Sequence, residues 1–171
     1  MSNNIWLTAD THYSHANIIK FCDRPFKNVN EMNEALISNW NEVVRSSDII
    51  YHLGDFCMGD PNRVYRRLNG QKFLILGNHD KEIKLRGLFG WIKDTYYLYY
   101  NNDKFFLSHY AHRVWRASHH GSYHFYGHSH GSLDDYGRST DVGVDCWNYY
   151  PVHIDTLLKE LKDAMSTKHH E

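Results

Sequence analysis

Apolar residues recur along this chain in two rhythms, and the change from one to the other outlines the fold. Ile5-Trp6-Leu7, Asp48-Ile49-Ile50-Tyr51-His52-Leu53 and Lys72-Phe73-Leu74-Ile75-Leu76 are short apolar runs bounded by turn residues, which predicts buried strands. Between them, Val29, Met32, Leu36, Trp40, Val43 and Val44 recur at spacings of three and four, which predicts a helix over 29–46 with one apolar stripe. Asn28 with Glu31 three residues on resembles a capping box at its start. Pro61 suits a first helical turn, and Val64, Tyr65 and Leu68 share a face, so 61–68 reads as a short helix. Strand and helix alternate in this half, which favours parallel pairing with helices outside.

From residue 94 the rhythm changes. Residues 94–100 and 104–108 are rich in Tyr and Phe and flank Asn101-Asn102-Asp103, which reads as a hairpin turn. Residues 123–127 and 140–146 read as further strands. A last helix is expected over about 155–165, with Asp155 as its cap and Leu157, Leu158 and Leu161 inward. A β-sandwich flanked by helices accommodates this order.

The 171 residues, 42% hydrophobic and 15% aromatic, suffice for one domain with a sizeable core over 1–171, the last few residues from about 166 forming a polar tail. Nineteen basic residues balance twenty acidic ones, so nothing in the global charge indicates a nucleic-acid or membrane binder. No apolar run reaches the roughly 18 residues that span a bilayer, and no basic-then-apolar segment opens the chain. A cytoplasmic location is expected. Three cysteines without a CxxC pair argue against a disulfide framework or a structural zinc site.

The chemistry sits where the apolar runs stop. Asp10-Thr11-His12, Gly54-Asp55, Gly77-Asn78-His79-Asp80, Ser108-His109 and Gly127-His128-Ser129-His130 each follow a strand-like run. In open α/β sheets, ligands gather at the carboxyl ends of strands. The segments supply carboxylates, an amide and imidazoles, a ligand set for two adjacent divalent cations. Alternation along an extended strand would let Asp10 and His12 reach one ion together, and likewise His128 and His130. Glycines at 54, 77 and 127 allow sharp turns beside them.

These segments, taken in order, resemble the calcineurin-like metallophosphoesterase family, whose pattern is DxH, GD, GNHD or GNHE, H and GHxH. The resemblance spans residues 10–130 and is nearest to short, cap-less bacterial and phage members. It implies an α/β fold, a four-layer α-β-β-α sandwich of two mixed sheets flanked by helices. It implies one metal held by Asp10, His12, Asp55 and His130 and a second held by Asp55, Asn78, His109 and His128, with Asp55 bridging. Mixed oxygen and nitrogen ligands suit Mn, with Fe, Zn, Ni or Co as alternatives, better than calcium. The expected activity is phosphodiester hydrolysis on a small or nucleotide-type phosphate ester, by a metal-bridging hydroxide attacking phosphorus. His79 would protonate the leaving group, and Asp80 would hold that imidazole charged and oriented.

Other residues have plainer readings. His52, inside a strand, reads as core or as support for the ligands. His15 reads as the start of the helix after the first loop. Arg113 and His112, just beyond His109, are candidates for substrate contact, while Trp115 reads as core. His119, His120 and His124 read as loop residues, and Arg63, Arg66 and Arg67 as solvated surface. Two rival functions stand beside the leading one. A metal-dependent nuclease is permitted by the ligand set but not favoured by the charge. A non-enzymatic partner-binding scaffold would be expected to have lost some of these residues. The sequence leaves the oligomeric state open.

Overall fold

The computed structural model describes residues 4–167, and the side chains of 4–162. Two mixed sheets lie face to face. The first has the order β4-β3-β2-β1-β9, from β1 (Ile5–Thr8), β2 (Ile49–His52), β3 (Gln71–Ile75), β4 (Ile92–Lys93) and β9 (Val152–His153). Its strands are parallel except β9, which runs antiparallel to β1. The second has the order β5-β6-β7-β8, from β5 (Thr95–Tyr100), β6 (Asp103–Ser108), β7 (Tyr123–Tyr126) and β8 (Ser139–Asp141). Here β5 and β6 form the expected hairpin and the rest pair in parallel. Asn101 and Asn102 both adopt left-handed backbone angles, the geometry a two-residue hairpin turn demands.

Strand alternation divides the core in two. Ile5, Leu7, Tyr51 and Ile75 point from the first sheet toward Phe105, Leu107, Tyr123 and Phe125 of the second. Ile50 and Leu74, one residue out of phase, point to the opposite face and meet Met32, Leu36, Ile37 and Trp40 of the helix α2 (Val29–Val43). Helices α1 (Ala16–Phe21), α3 (Pro61–Tyr65) and α4 (Glu82–Leu85) complete the first half, and α5 (Ile154–Thr167) closes the inter-sheet core with Leu157, Leu158 and Leu161. On the outer face of the second sheet, Trp115 and His112 pack on His124 and Phe106. Among the described residues, no helix is long and apolar enough to cross a membrane.

The expected elements differ from the observed ones at their ends. Helix α2 stops at Val43, not residue 46. Val44 is buried in the same core, but its backbone is extended, so the apolar rhythm outlasts the helix. Asn28 caps it by accepting the Glu31 N–H at 3.0 Å, while the Glu31 carboxylate reaches the Lys27 N–H rather than that of Asn28. Helix α3 covers five residues, shorter than 61–68. The strand expected over 140–146 ends at Asp141, because the chain turns at Gly143 into a single 3-10 turn, Val144–Cys146. Helix α5 begins at Ile154, so Asp155 lies within its first turn rather than at the cap. Of the polar tail expected from about 166, residues 166 and 167 belong to α5, and the rest, with His169 and His170, lies outside the described residues.

Candidate metal centre

All five polar segments emerge at the carboxyl ends of parallel strands, β1, β2 and β3 from one sheet and β6 and β7 from the other. Within each set neighbouring ends are bonded, Asp10 N donating to Gly54 O at 2.9 Å and Gly127 N to His109 O at 2.9 Å, and Val144 N, donating to Ala9 O at 3.1 Å, joins one set to the other. The strands do not simply run on into the site. Asp10, His12, Asp55, His128 and His130 all take left-handed φ values between +47° and +67°. Such angles are uncommon for residues with a Cβ and persist where the surroundings enforce them. Asp10 and His12 still come together as expected, through a turn rather than an extended strand, but His128 and His130 part company. His130 joins Asp10 and His12 in one group whose ligand atoms lie within 4.8 Å of one another, and His128 joins Asp55 and His109 in a second. Close packing explains two glycines: Gly54 has φ +99°, and a Cβ at Gly77 would fall 2.3 Å from the Asp55 backbone nitrogen.

The ligand atoms face each other without the partners that hydrogen bonding would require. His109 Nδ1 lies 2.7 Å from Leu53 O, an acceptor only, so that nitrogen carries the proton. In a neutral ring Nε2 then presents a lone pair, yet it faces Asn78 Oδ1 at 2.9 Å and Asp55 Oδ2 at 3.5 Å. Three acceptors converging on one point call for a cation. On the other side Asp10 Oδ1 and His12 Nε2 are buried with no hydrogen-bond partner among the described residues, an arrangement that is costly unless something binds between them. Asp55 Oδ2 is also 3.5 Å from His12 Nε2, so one carboxylate oxygen touches both groups. These are the donor types of a divalent transition metal, and the orphaned atoms fit one.

Without a cation, protonation takes its place. Burial pushes the Asp10 carboxyl up to about 7 despite the nearby His130 and His109. Burial also lowers His12 to about 3, keeping its ring neutral and its lone pair available. For Asp55 burial is outweighed by His109 and by the His79 N–H, which donates to Oδ1 at 2.8 Å, and the carboxylate falls to about 2. His109 is held above the ordinary histidine value, since the Asp55 and Asp10 carboxylates outweigh its burial.

The remaining residues fall into place around this centre. His52 is buried, with Nε2 2.9 Å from the Thr11 hydroxyl. That hydroxyl donates in turn to Phe56 O at 2.9 Å, which braces the Asp10–His12 turn. His15 does more than open a helix: its Nδ1 is 3.4 Å from His12 Nδ1 and it lines the same cavity. His79 sits exposed at the rim, its ring centroid 5.6 Å from that of His12. Asp80 is not oriented toward that imidazole as expected. Both its oxygens are committed to the main chain, accepting N–H groups of Asp55, Phe56 and Gly77 at 2.9 Å each. His124 is no loop residue. It lies fully buried in β7, with Nδ1 on Phe106 O and Nε2 accepting the His112 N–H, so both ring nitrogens are used and the ring needs no charge.

Arg113 and His112 line a separate cavity of about 440 Å³, which shares Leu133 as a lining residue with the metal-centre cavity. The central cavity measures about 730 Å³, lined by His12, Asp55, His128 and His130 of the ligand groups and by Ile18, Phe21 and Leu133. Trp115 is buried and bonded to Ser122, and Arg67 forks onto Glu34 at the surface. Two residues with no motif to mark them, Arg24 and Asp145, lie directly behind the centre. Asp145 Oδ2 is 2.7 Å from His130 Nδ1.

A family model described as the calcineurin-like phosphoesterase superfamily domain matches residues 4–145. An uncharacterized protein of Methanocaldococcus jannaschii is 41% identical over 167 residues, covering 91% of this chain and 89% of that protein. The crystal structure of a protein of unknown function from Aquifex aeolicus superposes with a TM-score of 0.75 at 24% identity, over 92% of this chain and 99% of the other. A novel archaeal phosphodiesterase superposes with a TM-score of 0.51 at 20% identity, over 82% of each chain. At these identities both structures speak for the fold.

Proposed function

The chain belongs to the calcineurin-like phosphoesterase superfamily, and from that premise we propose that it is a two-metal phosphodiesterase acting on small or nucleotide-type esters. The observation that carries this reading is the position of Asp55 Oδ2, 3.5 Å from His12 Nε2 of one ligand group and 3.5 Å from His109 Nε2 of the other. Asp10, His12, Asp55 and His130 would hold the first ion, and Asp55, Asn78, His109 and His128 the second, with manganese the best match and Fe, Zn, Ni or Co alternatives. When bound, such a pair lowers the pKa of water to roughly 7 and polarises the phosphoryl oxygens.

The chain's own groups supply the rest. His79 stands at the open rim, where its imidazole reaches the leaving oxygen of a bound ester and donates a proton to it. Asp80, by fixing the amides of Asp55 and Gly77, holds the two loops in register and acts on His79 only through the backbone. Arg113 and His112 would meet the far arm of a longer substrate.

The cavity wall favours a diester over a monoester. Among its described lining residues there is no Lys or Arg to neutralise a second phosphate charge, while Ile18, Phe21 and Leu133 offer apolar surface to an ester arm. The test is hydrolysis of an aryl phosphodiester and the matching phosphomonoester by purified protein with manganese, with Asp55→Asn as control. A diester rate at least tenfold above the monoester rate, abolished by chelator and in the variant, is expected. Turnover of neither ester, or turnover indifferent to chelator, overturns the reading.

A further inference from the structure

Arg24 is the most heavily used side chain behind the centre, and no ligand role accounts for it. It is 3% exposed. Its Nε and Nη2 fork onto the two Asp145 oxygens at 2.9 and 2.8 Å. The same Nη2 donates to Asp10 O at 2.6 Å, and Nη1 donates to Thr11 O at 3.1 Å. The guanidinium thus grips the left-handed Asp10–His12 turn from behind, by carbonyls that no ladder partner satisfies. Asp145 carries the connection onward: its Oδ2 accepts from His130 Nδ1 at 2.7 Å. That bond fixes the His130 tautomer and leaves Nε2 as the lone pair available to an ion.

The imidazoles of the second ligand group have no such carboxylate behind them among the described residues. His109 Nδ1 leans on a neutral carbonyl, Leu53 O, while His128, which is exposed, has Nδ1 against Asn78 Oδ1, itself a ligand atom of the same group. We infer that Arg24 and Asp145 are positioning residues that act on one of the two metal sites only, the one formed by Asp10, His12 and His130. Arg24 sets the backbone that carries two of its ligands, and Asp145 sets the ring orientation and basicity of the third. The inference rests on the two-metal reading above. A buried Arg–carboxylate pair is not by itself a source of stability, so its geometry, aimed at ligands from both sides, points to placement instead.

Metal titration calorimetry with manganese on the full chain tests this, with Asp145→Asn and Arg24→Gln beside the wild type. Wild-type protein takes up two ions. In Asp145→Asn the affinity for one ion falls about 10- to 100-fold while the other changes less than about threefold. Arg24→Gln weakens the same ion. A second readout needs no variant to fold well: in the zinc-loaded wild type, a nitrogen-resolved NMR spectrum of the histidines shows His130 protonated at Nδ1, with its proton far downfield. Equal weakening of both ions, unchanged affinity for both, or a His130 protonated at Nε2 overturns the inference. A wild type that binds no metal overturns the two-metal reading itself, and this inference with it.

Discussion

Asp80 accepts the main-chain N–H of Asp55 at 2.9 Å, and through that bond the third loop of the centre sets the position of the second. Asp80 also takes the Phe56 and Gly77 N–H groups, so one half-buried carboxylate satisfies three amides. Replacing it strands those donors, each a charge-assisted bond worth about 1.5–3 kcal/mol net. Burial opposes this, holding the Asp80 pKa above the ordinary carboxylate value, so the bonds do not count in full and Asp80→Ala should destabilise the metal-free protein by about 2–4 kcal/mol in urea unfolding. A loss under about 0.5 kcal/mol would show that these amides find other partners.

His79→Asn should leave metal content unchanged and lower kcat on an alkyl phosphodiester by about 10²-fold or more. An aryl diester, whose leaving group needs no proton, should suffer much less. Equal losses on both substrates would remove His79 from proton transfer.

Phe21 is 75% exposed on the cavity wall. Phe21→Ala should raise KM for a diester with an aromatic arm by about tenfold, in line with roughly 1.5 kcal/mol of lost apolar contact. The KM for a methyl-armed diester should stay the same. A shift common to both would mean that Phe21 shapes the loop rather than the substrate subsite.

Acid should loosen the fold through histidines that are buried neutral. Burial lowers His52 to about 3 and His124 to about 4. Below pH 6.5 the unfolded chain takes up protons that these folded rings refuse, so stability present above 6.5 is lost as pH falls toward the folded values. For His124 alone the loss between pH 6.5 and 5 is about 2 kcal/mol. Urea unfolding of chelator-treated protein should show the decline, and His124→Asn should make it shallower. A profile equally steep in the variant would assign the loss to other groups.

The sequence made the site legible to the extent that strand ends and polar punctuation coincide. Asp10, Asp55, Asn78, His109, His128 and His130 all follow apolar runs, and parallel pairing brings such ends to one edge. What it hid was conformation and distance. Alternation presumes extended backbone, so by itself it sends His128 and His130 to one ion; the family resemblance separates them, and the left-handed turns at both residues are what does so physically. Arg24 and Asp145 lie 121 residues apart, and nothing in their spacing ties them to His130. His124 could have been found, because it sits in an apolar strand run, Tyr123-His124-Phe125-Tyr126, where a polar side chain must be paired. The two-residue strands β4 and β9 are too short to leave a pattern.

The most direct test is anomalous diffraction from a crystal of this chain grown with manganese. Two peaks about 3.5–4 Å apart, one on either side of Asp55 Oδ2, with His12 and His130 on the first and His109 and His128 on the second, are expected. A single peak, or ions held away from Asp55, would contradict the bridged centre.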